Sequence, residues 1–174
     1  MKIENMTYRK VIKILSLLIT SALIATVSAA TYKYMYIDGS VTISTTTGLK
    51  WVEGSDAPSG TSIAGSTVTL PLSVQNGTPI NFTYCLYLQN LDTTANHSLL
   101  ISVTNDANTT LYDEFNIFIF NNASGSYIDT INVLTTDSCS GSILTSEVWR
   151  LTFEVAAKAS ASGTDTFDIQ VRYE

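Results

Sequence analysis

The chain has 174 residues, enough for one domain with a substantial core, and it is 45% hydrophobic but only 14% charged. Its formal charge of −6 is uneven: Lys2, Arg9, Lys10 and Lys13 against Glu4 make residues 1–28 +3, which leaves −9 for the rest. So acidic a body excludes nucleic acid and anionic lipid as electrostatic partners, and a polar share rich in Thr, Ser and Asn argues against a helical bundle.

Met1 to Lys13 is a basic leader, and Ile14 to Val27 is an apolar run that ends in the small residues Ser28, Ala29 and Ala30. This three-part pattern is that of a secretory signal, with cleavage equally acceptable after Ala29 or after Ala30. The membrane is then met only during export. A type IV pilin signal does not fit, because the junction Tyr8-Arg9-Lys10-Val11 lacks the small residue such a signal needs.

Directly after this segment, Ala29 to Ser44 alternates with period two. Met35, Ile37, Val41 and Ile43 share one face with Gly39; Tyr32, Tyr34, Tyr36, Asp38, Ser40 and Thr42 share the other. That is a strand with one buried and one wetter face. A strand at the N-terminus of an exported chain has two options. It pairs within its own sandwich, or it completes the sheet of a neighbouring molecule.

Further strands are expected at Leu49–Glu53, Ser66–Val74, Ile80–Leu88, around Leu99–Val103, at Phe115–Phe120, Tyr127–Leu134 and Val148–Ala157, and from Phe167 to Tyr173. Pro71 lacks a ladder donor and assigns its strand to an edge or a bulge. In Ile80–Leu88 the alternation puts Tyr84 with Phe82 and Leu86 on the inner face, and Cys85 on the other. Roughly eight or nine short strands between Gly/Ser/Asn/Asp turns predict a sandwich or jelly roll.

Chemistry-bearing residues are sparse. His97 is the only histidine, lies in Asn96-His97-Ser98, and reads as a solvated turn residue without a role. No hydrolytic triad or zinc site is built from one such imidazole, so no catalytic residue, metal or cofactor is assigned. Asn105-Asp106-Ala107-Asn108 offers oxygens to calcium but reads better as a solvated turn. Cys85 and Cys139, an even pair in an exported chain, are expected to form a disulfide, with Cys139 in the turn Asp137–Gly141. Such a bridge closes a loop worth roughly 4 kcal/mol in the chain-entropy description. Glycosylation sequons at Asn81, Asn96, Asn108 and Asn122 fall near turns or on polar faces; Pro79 follows a fifth, at Asn76, too closely.

The run Leu17 to Ala29, L-L-I-T-S-A-L-I-A-T-V-S-A, passing straight into A-T-Y-K-Y-M-Y-I-D-G and then a jelly-roll-like domain, resembles the TasA/camelysin-related filament proteins. It looks especially like their archaeal bundling-pilus and thread-type members. The resemblance implies an all-β fold: a single jelly-roll-like β-sandwich preceded by an N-terminal signal helix and a donor β-strand. Its expected divisions are a signal at 1–29, a donor segment at 30–39 and a sandwich at 40–174, with Gly39 ending the donated piece. Thr31, Tyr32, Lys33, Tyr34, Met35, Tyr36 and Ile37 would carry donor-strand complementation, making the protein its own partner in a head-to-tail extracellular polymer serving adhesion, bundling or a biofilm matrix. Camelysin-type protease activity finds no residues here.

A second reading is a monomeric secreted or surface-layer binding module. Tyr32, Tyr34, Tyr36, Trp51 and Tyr87 would then form a sugar platform. Lys33 either points to solvent or crosslinks to the next subunit.

Overall fold

In the computed structural model, residues 34–43 and 48–174 are described, and among them every regular element is a strand. The expected signal helix, along with Thr31, Tyr32 and Lys33 of the expected donor segment, lies outside the described residues. Among the described residues there are eleven strands: β1 (Tyr34–Ile43), β2 (Leu49–Glu53), β3 (Ser62–Ala64), β4 (Thr67–Gln75), β5 (Ile80–Asn90), β6 (His97–Asn105), β7 (Tyr112–Asn121), β8 (Tyr127–Asn132), β9 (Ser138–Ile143), β10 (Val148–Ala157) and β11 (Gly163–Tyr173). They form a six-stranded sheet in the order β3-β4-β1-β11-β6-β9 and a five-stranded sheet in the order β2-β5-β10-β7-β8. The expected all-β sandwich is what the chain forms.

Period-two patterning decides which residues meet between the sheets. Val68, Leu70, Leu72 and Val74 of β4 are fully buried, and Phe167, Ile169 and Val171 of β11 join them. Leu86 and Leu88 of β5, Ile117 and Ile119 of β7, and Leu151, Phe153 and Val155 of β10 face them from the other sheet. Phe167 is the pivot of an aromatic cluster, its ring centroid 4.9 Å from Phe115 and 6.4 Å from Phe153.

Two strands depart from the sequence reading. Asp137–Gly141, expected as a turn, is largely strand: β9 pairs antiparallel with β6, from His97↔Ile143 to Ser102↔Ser138. Its small residues serve packing, since a Cβ on Gly141 would sit 2.8 Å from Cη2 of Trp149. In β5 the register against β10 jumps from Leu86 opposite Leu151 to Phe82 opposite Phe153. The two extra β5 residues keep Phe82, Leu86 and Leu88 on one face but turn the residues between them. Tyr84, expected inside, is therefore 42% exposed, and Cys85, expected on the wetter face, is buried. The loop after β2 docks on this irregularity, with Gly54 N–H donating to Cys85 O at 3.0 Å and Tyr84 N–H donating to Asp56 Oδ2 at 3.1 Å.

At the end of the sandwich where the C-terminus lies, Asn90 is fully buried and hydrogen-bonded on both sides of its amide. Its Nδ2 donates to Ala95 O (3.0 Å) and Leu144 O (2.9 Å), while its Oδ1 accepts from Asp92 N–H (2.9 Å). His97 is not the solvated turn residue expected. It opens β6, is 9% exposed, lies 3.0 Å from Asp92 Oδ2 and meets the Tyr173 ring edge-on at 5.0 Å. Its role is to knit the β5–β6 connection to the last strand.

Candidate assembly site: the slot between β4 and β11

β1 occupies the middle of the six-stranded sheet. It runs antiparallel to β4, from Tyr34↔Gln75 to Thr42↔Thr67, and parallel to β11, from Met35↔Gly163 to Ile43↔Val171. β1 is the strand that joins β3-β4 to β11-β6-β9. In this single chain the strand therefore pairs at home. Of the expected donor residues, Tyr34, Met35, Tyr36 and Ile37 lie in β1. Gly39 does not end anything: β1 continues unbroken to Ile43, because both neighbours go on pairing with it beyond that point.

The register explains the alternation in β1. Met35, Ile37, Gly39 and Val41 stand opposite Val74, Leu72, Leu70 and Val68 of β4; Gly39, Val41 and Ile43 stand opposite Phe167, Ile169 and Val171 of β11. Gly39 and Val41 are buried, whereas Asp38 is exposed and Ser40, half-buried, donates its hydroxyl to Asp168. Gly39 is a notch. A Cβ there would sit 2.1 Å from both Cε1 and Cζ of Phe167, so the glycine makes room for that ring.

Pro71 fits its expected edge setting in a specific way. β3 covers only Thr67–Thr69, so Pro71 lies in the part of β4 whose outer side borders no further strand among the described residues. A missing N–H there breaks no ladder.

The cysteines correct an expectation. Cys85 and Cys139 are both free and buried, on β5 of one sheet and β9 of the other. Their charged surroundings differ as well: Asp56 and Glu53 lie by Cys85, Asp129 and Asp137 by Cys139. The β5 bulge turned Cys85 inward in its own sheet, so counting thiols misjudged the pair. Burial first, and then these carboxylates, push both thiols from an ordinary value near 9.0 up to about 12. Thiolate is the reactive form, so both are inert near neutrality. A maleimide at pH 7 should label neither in the folded protein and both after denaturation. As pH rises past 9 the unfolded chain loses thiol protons that the folded one keeps, so stability should fall towards pH 12.

The sequons are scattered. Asn81, Asn96, Asn108 and Asn122 are all exposed, on β5 and on the connections β5–β6, β6–β7 and β7–β8. The carboxamide oxygen of Asn96 accepts from Thr145 N–H at 2.9 Å; that of Asn108 accepts from Thr110 N–H (2.9 Å) and hydroxyl (2.8 Å). Asn76 is half-buried with its amide donating to Ala161 O. In the Asn105–Asn108 turn Ala107 is buried and Asn108 Oδ1 is already engaged. Among the described residues no three His, Cys, Asp or Glu side chains gather as metal ligands. Trp51, expected on a sugar platform, is 1% exposed and belongs to the core.

No protein-family model matches this sequence, and no curated protein matches it significantly.

Proposed function

We propose that the protein is a secreted structural subunit of an extracellular filament, in which β1 of one molecule fills the β4–β11 slot of the next. The observation that carries this reading is the position of β1. β4 is antiparallel to β1 and β1 is parallel to β11, so β4 and β11 are antiparallel to each other. With β1 and the short edge strands β2 and β3 set aside, the strand orders become β4-β11-β6-β9 and β5-β10-β7-β8. We read those eight strands as a jelly roll, with its first and last strands as neighbours once β1 is removed. β1 is an extra strand wedged between those two, which it holds about 10 Å apart.

Such a strand is suited to exchange. With the signal cleaved after Ala29 or Ala30, β1 continues into the sandwich on one side only, through residues 44–47. An empty slot has two unpaired edges and an apolar floor of Leu70, Leu72, Val74 and Phe167, both unfavourable in water. Filling it with four or five apolar side chains stabilises by on the order of 10 kcal/mol before ordering costs. A donated β1 makes the same pairs in a neighbour as at home. Non-reciprocal exchange then propagates as an open chain instead of a closed dimer. The TasA/camelysin-type resemblance of residues 14–43 points the same way, and the acidic, sequon-bearing surface suits an exposed fibre engaged in adhesion, bundling or matrix formation.

Deleting Thr31–Ile37 tests the reading. The full-length protein should give long filaments one subunit wide under negative stain. The deletion should give a secreted, non-polymerising protein, and adding the segment as a peptide should raise its melting temperature. A full-length protein that stays a monodisperse monomer at high concentration would contradict the reading.

A further inference from the structure

The outer face of the five-stranded sheet carries a row of side chains that the assembly site does not use. Cross-strand register sets Val52 of β2 opposite Tyr87 of β5, Tyr87 opposite Arg150 of β10, Arg150 opposite Phe120 of β7, and Phe120 opposite Tyr127 of β8. The row crosses all five strands, about 19 Å at normal strand spacing. The β5 bulge adds Tyr84 to it. The Arg150 guanidinium lies 5.0 Å from the Tyr84 ring centroid and 4.8 Å from that of Phe120, whose ring meets Tyr127 edge-on at 5.9 Å. Tyr84 is 42% and Tyr127 58% exposed, and the Tyr127 hydroxyl is fixed by Thr130 Oγ1 at 2.8 Å.

Arg150 is the unusual member. Its Nε is buried without a hydrogen-bond partner, and among the described residues no carboxylate forms an ion pair with it. In a chain with fifteen acids an arginine held between two rings and left without an anion stands out. An apolar residue at 150 would serve sheet packing without stranding a buried donor. The local charges are mixed: Asp56 Oδ2 accepts from Tyr84 N–H at 3.1 Å and Asp129 stands two residues from Tyr127, so the site rests on Arg150 and the rings that hold it. Lys50, exposed, shares the outer face two residues from Val52. Glu154 on the same strand is four residues away, about 13 Å, beyond the screening length of physiological salt. Glu147, at the start of the strand, is occupied by Asn121 and by Leu144 N–H.

We infer that this row is a binding site for an acidic polysaccharide, with a uronate carboxylate on Arg150 and sugar rings against Tyr84 and Tyr127. The chemistry is complementary on both counts. A guanidinium presents a planar fork of donors that fits a carboxylate. The electron-rich face of a tyrosine attracts the weakly positive C–H groups on one side of a pyranose, much as it attracts the positive edge of another ring. A flat row across the strands matches an extended chain better than a single small molecule.

Native gel electrophoresis of the secreted protein through polygalacturonate, with neutral dextran as the comparison, tests the site. The protein should be retarded by polygalacturonate and not by dextran, and added salt should weaken the retardation. Arg150→Gln should weaken binding at least about tenfold, the size of one lost charge-assisted hydrogen bond. Tyr127→Ala, on an exposed position that folding tolerates, should weaken it several-fold with an unchanged circular dichroism spectrum. The inference is overturned by an unretarded wild type, by equal retardation in dextran, or by variants that bind as well as wild type. A change in sedimentation without a change in retardation would instead make the face a contact between copies, and also overturn it. Capture of the full-length protein on polygalacturonate beads, against dextran beads, reads the same difference where filaments do not enter the gel.

Discussion

Gly39→Val should destabilise the folded protein by about 3 kcal/mol, the upper part of the usual cost of overpacking a core. A Cβ at this position meets Cε1 and Cζ of Phe167 at 2.1 Å, before the two γ-methyl groups are counted. The ring has little room to retreat, because Phe167 is fully buried, with Phe115 at 4.9 Å and Phe153 at 6.4 Å. The strand must therefore lift away from β11, and the slot is lost to both a home strand and a donated one. Urea unfolding of the soluble protein should show the shift, and electron microscopy should show no filaments. Phe167→Leu in the same chain should return part of the stability, since the clash is a property of the pair. A Gly39→Val protein with an unshifted urea midpoint would mean that β1 does not run past Phe167 as described.

Much of the sandwich can be read from its alternation. β4, β6, β10 and β11 carry apolar residues at every second position over most of their length, and the structure buries those residues. Where the pattern misleads, a local event breaks the period. The β5 irregularity disturbs the period only between Phe82 and Leu86, exposing Tyr84 and burying Cys85. β9 is built from Ser, Cys and Gly with Ile143 at its end, a composition that reads as a turn. It forms because β6 offers an edge and Trp149 fills the space above Gly141. β3 is three exposed residues whose pairing with Thr67–Thr69 leaves no trace in hydropathy.

The site was half legible. The period of residues 35–43 announces a strand, but Gly39, expected to end the donated piece, owes its place to the Phe167 ring, which only the fold reveals. The strand's neighbours were not legible, because the pairing of β1 with β11 joins strands at opposite ends of the chain and no turn chemistry records it. The fate of the cysteines and of His97 depended on such non-local pairing as well. His97 opens β6 and faces Asp92 and Tyr173, which no reading of Asn96-His97-Ser98 by itself reveals.

Whether β1 fills its own slot or a neighbour's is measured most directly by a cysteine pair across the β1–β4 ladder. Tyr36 stands opposite Ser73, an exposed residue on the outer face. Directly opposed residues in an antiparallel pair have Cα atoms about 4.5–5.5 Å apart, within the span a disulfide bridges. Cys85 and Cys139 do not interfere, being buried thiols held protonated up to about 12. The Tyr36→Cys, Ser73→Cys protein is allowed to assemble, oxidised, boiled in detergent without reductant and resolved by size. Donation in an open chain predicts a ladder of covalent multimers that reductant collapses to monomer, absent when either cysteine is introduced alone. A crosslinked monomer alone, the strand closed on its own β4, or a product that stops at the dimer, would contradict the filament account.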